Sequence, residues 1–246
     1  MKTTHFQFNS IEELIKATEQ EAPTSKGNKS AFNSWNDPNG SRSSFCGGVK
    51  NAEEYNDLIN NGWRPAADTL RLTEAGENKT VFFPSVSGEF NDPGAFLAGL
   101  PECMLEVNTE TAPRLKNIYI EAATPGTTDA DTIMKKTRAI FNAVETCEQA
   151  GTRCQIFIKV GVTTNGKKMI LTVKAKDHSE PLIPIYHGLI LGHLATVRGV
   201  MYAYLSLYSK SSSIGAPAED EPQPDGVTVS YQTDSPETIK NKIINQ

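Results

Sequence analysis

The side chains that could do chemistry fall into a few groups. Tyr202, Tyr204, Tyr208 and Lys210 gather at the end of a long apolar stretch. A tyrosine hydroxyl can attack phosphorus, but such sites hold the phosphate with arginines or a metal, and no H-x-H pair accompanies these residues. Tyr204 and Tyr208 share a helical face, which is the pattern of core or of a partner interface. His187 and His193 do not fit the i,i+4 spacing of metal ligands. Asp177, His178 and His187 would make a metal site only if the fold gathered them; polar groups that satisfy nearby backbone are the plainer reading. Cys46, Cys103, Cys147 and Cys154 contain no C-x-x-C pair. Cys147 and Cys154 flank a helix end and read as small buried thiols, with a disulfide or half a metal site as the alternative.

Basic residues give the only pattern that favours nucleic acid. Lys135, Lys136 and Arg138 are expected on the exposed side of a central helix, and Lys167, Lys168, Lys174 and Lys176 on a hairpin. With Lys159 they would line one positive surface across a sheet edge. Lysines also keep a sheet edge soluble and unpaired. Ligands of open α/β sheets sit beyond the C-terminal ends of strands, so Thr124, Thr127 and Asp129 form the expected edge of a ligand pocket. The competing reading there is an ordinary turn and helix cap. Trp35 stands alone in a polar loop and either anchors it or meets a partner. Asn165-Gly166-Lys167-Lys168 lacks the upstream glycine and following helix of a phosphate loop, and G-x-S-x-G is absent. No catalytic set, metal or cofactor is expected.

The elements that must position these residues are clearest in the second half. Residues 117–122 form a nearly continuous apolar run, so a buried strand. Asp129 then caps a helix over 130–150, and residues 154–162 make the next strand. This is a crossover unit whose strands should lie side by side with the helix on one face. Thr163-Thr164-Asn165-Gly166 predicts a hairpin turn returning through residues 168–174. A long apolar helix is expected over 188–208, buried or covered by a partner. Upstream, Ser10 and Glu13 make a capping box for a first helix. Residues 21–44 read as an exposed loop and 44–49 as a short strand. Asn51 caps a helix over 52–60 ended by Gly62, and residues 81–86 form a strand. Asp92 and Pro93 open a helix to about Ala98, and residues 101–104 run extended. The fold class is therefore α/β. The expected organisation is an α+β region over 1–110, an α/β core over 111–208, a linker over 209–226, and a tail over 227–246. Ser235 and Pro236 open a short helix in that tail.

The chain has 246 residues, 38% hydrophobic and 22% charged, with a formal net charge of -5. It can bury a real core, and it carries no overall pull toward nucleic acid or an anionic membrane. No apolar run reaches the roughly 20 residues that span a bilayer. Nor does the start carry a signal-peptide core. Cytoplasmic residence is expected.

Two stretches resemble an uncharacterised family of bacteriophage and mobile-element proteins. The first is Ser44-Phe45-Cys46-Gly47-Gly48 with the following helix and Gly62-Trp63. The second runs from Val86 to Met104, through Gly88-Glu89-Phe90-Asn91-Asp92-Pro93-Gly94. This resemblance implies a phage source and residence in the host cytoplasm. The block 118–162 is similar to the opening of a von Willebrand factor A-type domain, with Glu121, Ala123 and Pro125 where that family carries its metal motif, D-x-S-x-S. The functional expectation is a non-enzymatic binding or adaptor protein that works through protein contacts or self-association, with Trp35, Tyr204 and Tyr208 at the interface. The alternative is a DNA-associated replication or transcription factor using the lysine face. A tyrosine- or metal-dependent enzyme comes third.

Overall fold

The computed structural model describes residues 2–27, 29–37, 43–70, 82–85, 90–91, 97, 104–107, 114–164, 166–209 and 225–245. The chain forms two compact units: Met1–Leu72 with Leu115–Gln246, and Thr73–Arg114.

The first unit opens with β1 (Lys2–Phe8), α1 (Ile11–Glu21), α2 (Ser30–Trp35), α3 (Ala52–Asn61) and α4 (Arg64–Thr69). The second unit holds β2 (Phe82–Ser85), β3 (Phe90–Asn91) and β4 (Met104–Val107), an antiparallel sheet in the order β2-β4-β3. Most of the turn and helix expected over 87–98 lies outside the described residues, as does 210–224 of the expected linker.

The chain then runs through β5 (Arg114–Glu121), α5 (Ala130–Gln149), β6 (Thr152–Thr164), β7 (Lys167–Lys176) and α6 (Pro184–Gly192). A π-helical turn (Thr196–Met201), α7 (Tyr202–Ser206), β8 (Gly226–Ser230) and α8 (Pro236–Asn245) complete it. The five-stranded sheet has the order β1-β7-β6-β5-β8.

The crossover forms as local signals dictate. Ile118 and Ile120 of β5 are fully buried. Asp129 Oδ1 accepts the N–H of Thr132 at 2.6 Å, satisfying a free donor at the start of α5. The helix buries Ile133, Ile140, Phe141, Val144 and Cys147 on one stripe. β6 and β7 then pair antiparallel, Thr164 opposite Lys167. The edge strands come from the two ends of the chain. β1 pairs parallel with β7, Lys2 opposite Lys167 through Phe8 opposite Val173. β8 pairs parallel with β5, Ile118 opposite Val227. Ser235 Oγ accepts the N–H of Thr238 at 3.1 Å to cap α8, whose Ile239 and Ile243 are buried.

Three expected elements differ. Residues 44–49 form a turn, not a strand. Gly47 and Gly48 take φ of 69° and 99°, outside extended backbone, and the Gly48 N–H closes the turn on Ser43 O at 2.8 Å. The loop 21–44 contains α2. The single helix over 188–208 is broken. His193 is extended, with φ −92° and ψ 131°, and its Nδ1 accepts the N–H of Ala195 at 3.1 Å. The chain resumes as the π-helical turn, where Gly199 lies under the Trp35 ring; a Cβ there would sit 2.4 Å from Trp35 Cζ3. Tertiary packing against Trp35 thus overrides local helical preference.

The same contact gives a direct expectation. Gly199→Ala forces Trp35 to move and should cost about 1–3 kcal/mol, the usual penalty of an overpacked core, measured as a lowered midpoint in urea unfolding.

Candidate functional site

The lysine face does not assemble. Lys176 is 0% exposed. Its Nζ donates to Glu148 Oε1 at 2.7 Å, to Cys154 O at 2.8 Å and to Asp177 O at 3.1 Å. Lys136, expected on an exposed helix side, is buried; its Nζ donates to Tyr231 O at 2.6 Å, and burial pulls its pKa down. Lys159 is also buried, its Nζ 5.5 Å from the centre of the Tyr119 ring, which stacks on Phe157 at 4.9 Å. The other residues of the set are nearer the surface. Lys135 pairs with Asp131 at 2.6 Å, Lys174 with Asp177 at 2.9 Å, and Arg138 Nε donates to Thr69 O at 3.1 Å. Lys167 and Lys168 flank the hairpin turn. An ammonium that finds three acceptors can be buried, and a sequence pattern does not display backbone carbonyls.

Of the expected interface residues, Trp35 and Tyr204 are core. Trp35 meets Tyr55 edge-on at 6.1 Å. Tyr204 meets Phe6 and Phe8 edge-on at 5.3 and 5.1 Å. Its hydroxyl lies 3.2 Å from that of Tyr208, and Tyr208 donates to Glu21. Tyr208 alone of the three is exposed.

The 124–129 loop, expected as a pocket edge, is latched shut. Arg198 Nη2 donates to Pro125 O at 3.2 Å and Thr128 O at 2.7 Å, and Nη1 donates to Phe45 O at 3.2 Å. Its guanidinium lies 4.9 Å from the centre of the Phe45 ring. Thr124 and Thr127 belong to this turn and Asp129 caps α5, which is the plain reading of that segment.

One cleft that the fold leaves open, of about 310 Å³, lies where β1 and β7 end side by side; another, of about 320 Å³, lies between residues 21–27 and Leu207–Tyr208. Asn9 and Ser10 of the β1–α1 turn, Lys174 and Lys176 of β7, and Tyr186 and His187 of α6 line the first. Lys176 pins the end of β7 to α5 and β6, so this wall is fixed. Pro184 at the first turn of α6 fixes the entry of that helix. His187 is 2% exposed; its Nδ1 accepts the Ile183 N–H at 2.8 Å and lies 3.2 Å from Ile183 O, and the shorter contact places the neutral ring's proton on Nε2. Burial holds the ring pKa down at about 4, so it is neutral at pH 7. Its Nε2 has no hydrogen-bond partner. Beside this unanswered donor in the lining, Ile183 is 41% exposed; Ile185, 39% exposed, lies on the other side of the helix against Gly62. Asp177, weighed with His178 and His187 as a ligand, is engaged elsewhere: it holds Lys174 and Gln155 Nε2, the latter at 3.0 Å, while His178 Nε2 is buried without a hydrogen-bond partner. Sequence reasoning named Lys174, Lys176 and His187 separately; the Pro184-Ile185-Tyr186-His187 run was the signal for the helix entry.

A family described as a domain of unknown function (DUF7192) matches residues 2–244. The chain belongs to this family. No curated protein and no solved structure matches it.

In this DUF7192 chain Cys46, Cys147 and Cys154 are buried, and Cys103 lies outside the described residues. A hydrogen bond from Cys154 brings the Cys147 thiol down to about 6, helped by the Lys116 ammonium 3.9 Å away. Among the described residues no helix is long and apolar enough to cross a membrane. No group of three or more His, Cys, Asp or Glu among them could hold a metal ion.

Two outcomes follow from the cleft's wall. Lys176→Met leaves Glu148 without its cation and should cost about 3–5 kcal/mol in urea unfolding, while Lys176→Met with Glu148→Leu recovers roughly half of it. Because burial holds His187 at about 4, well below an ordinary histidine, the unfolded chain takes its proton first as the solution is acidified. Stability is therefore full above about pH 6.5 and falls as the pH drops toward 4. His187→Phe should flatten that fall in a series of unfolding curves from pH 7 to pH 4.

Proposed function

We propose that this protein is a phage-encoded, non-enzymatic adaptor. It works in the host cytoplasm by holding an extended segment of a partner protein in the cleft between β1, β7 and α6. The buried His187 Nε2–H carries this reading: it is a donor without an acceptor, in a cleft whose lining includes the exposed Ile183. Buried donors are almost always answered, so an unanswered one at a cleft marks where an acceptor arrives. Ile183 supplies apolar contact area, and the partner's backbone carbonyl supplies the acceptor. The phage source rests on the resemblance at 44–63 and 86–104.

A DNA-associated factor is the second reading. It is favoured by the Tyr119–Phe157 stack with Lys159 on the same sheet face and weakened by the burial of Lys136, Lys159 and Lys176. Binding to labelled single-stranded DNA, titrated with salt, would register it as a steep loss of affinity.

The test is site-specific photocrosslinking in producing cells. A benzoylphenylalanine at Pro181, an exposed residue of the cleft lining, should give a discrete adduct, and one at Glu237 on α8 should not. The adduct should vanish in the Ile183→Asp variant while the fold persists by circular dichroism. Equal adducts from both positions, or an adduct only to a second copy of this chain, would contradict the partner-segment reading.

A further inference from the structure

Glu180 lines the cleft, and Glu12 and Glu13 are bonded to two of its lining residues, each held by a neutral donor. Glu12 Oε1 accepts the Tyr186 hydroxyl at 2.8 Å, Glu13 Oε2 accepts the Asn9 N–H at 2.7 Å, and Glu180 Oε2 accepts the Asp177 N–H at 2.9 Å. Such bonds fix the carboxylates without cancelling their charge. The cations of the wall are already used: Lys176 pairs with Glu148 at 2.7 Å and Lys174 with Asp177 at 2.9 Å. The ring at His187 is neutral and adds a donor but no charge. The mouth therefore carries a negative field around one buried N–H donor and the exposed Ile183.

We infer that the partner segment is cationic: an extended apolar stretch bearing a lysine or arginine, with a backbone carbonyl accepting the His187 Nε2–H and its charge facing Glu12 and Glu180. This inference rests on the docking reading above. It goes further by fixing the sign of the partner's charge. A phosphorylated or acidic segment, or the phosphate backbone of a nucleic acid, meets repulsion at the same rim.

Three capped peptides that differ at one residue separate the alternatives: acetyl-Gly-Leu-Lys-Leu-Gly-amide and its glutamine and glutamate counterparts. Each is titrated into the full, ¹⁵N-labelled chain at low salt, with the His187 ring Nε2–H and the Ile183 and Ile185 amides as reporters. The lysine peptide should move all three reporters and bind about threefold tighter than the glutamine peptide, an advantage that fades with added salt. Glu180→Gln should remove most of that advantage; it is an exposed change that leaves the fold intact. Glutamate binding as well as or better than lysine would overturn the cationic inference and leave the docking reading standing. Shifts from none of the three would overturn both.

Discussion

A lysine side chain sealed from water dictates much of this molecule. Lys176, at the end of β7, places its ammonium among Glu148 Oε1, Cys154 O and Asp177 O. A buried cation is tolerable only when each of its donors is answered, so the end of α5, the start of β6 and the turn after β7 must all sit at fixed distances. One wall of the cleft is thereby set. α6 then closes the opposite wall, because Pro184 fixes its entry and His187 folds back on Ile183. The rim of the cleft inherits its charge from the same arrangement, since the wall's positive groups are spent on internal partners.

The device recurs. Lys136 reaches Tyr231 O and so ties α5 to the turn between β8 and α8. Arg198 gathers Phe45 O, Pro125 O and Thr128 O, joining the π-helical turn to two loops remote in sequence. Each is a cation bonded to backbone carbonyls of segments that have little regular structure of their own. Such staples give loops a defined position where apolar burial alone would let them slide. The charges that a linear reading assigns to a nucleic-acid surface are, in the folded chain, among the groups that build the core.

What the sequence made legible was local. Asp129 before an amphipathic run, the turn at Thr163–Gly166, and Ser235-Pro236 before α8 each encode their element within a few residues, and each formed. The mixed α/β class followed from the apolar run 117–122 and the crossover helix. The parts that stayed hidden depend on distant partners. β1 alternates Thr4, Phe6 and Phe8 with polar residues, yet it is a strand only because β7 offers an edge and Tyr204 offers a ring for both phenylalanines. The chain breaks at His193 and resumes in a turn whose Gly199 packs under Trp35, a contact between segments far apart in the chain. Carbonyl acceptors have no letter in the sequence, so neither the burial of Lys136 and Lys176 nor the unanswered His187 Nε2–H could be read from residue types.

The inward placement of these cations is open to direct chemical measurement. Native-state acylation of lysines with an N-hydroxysuccinimide ester, read by peptide mass spectrometry over time, ranks every ammonium by its access to water. Lys135 and Lys167 should react within the first time points, while Lys136, Lys159 and Lys176 stay unmodified until the chain is unfolded. Modification of Lys176 at the rate of Lys167 in the folded protein would contradict the account.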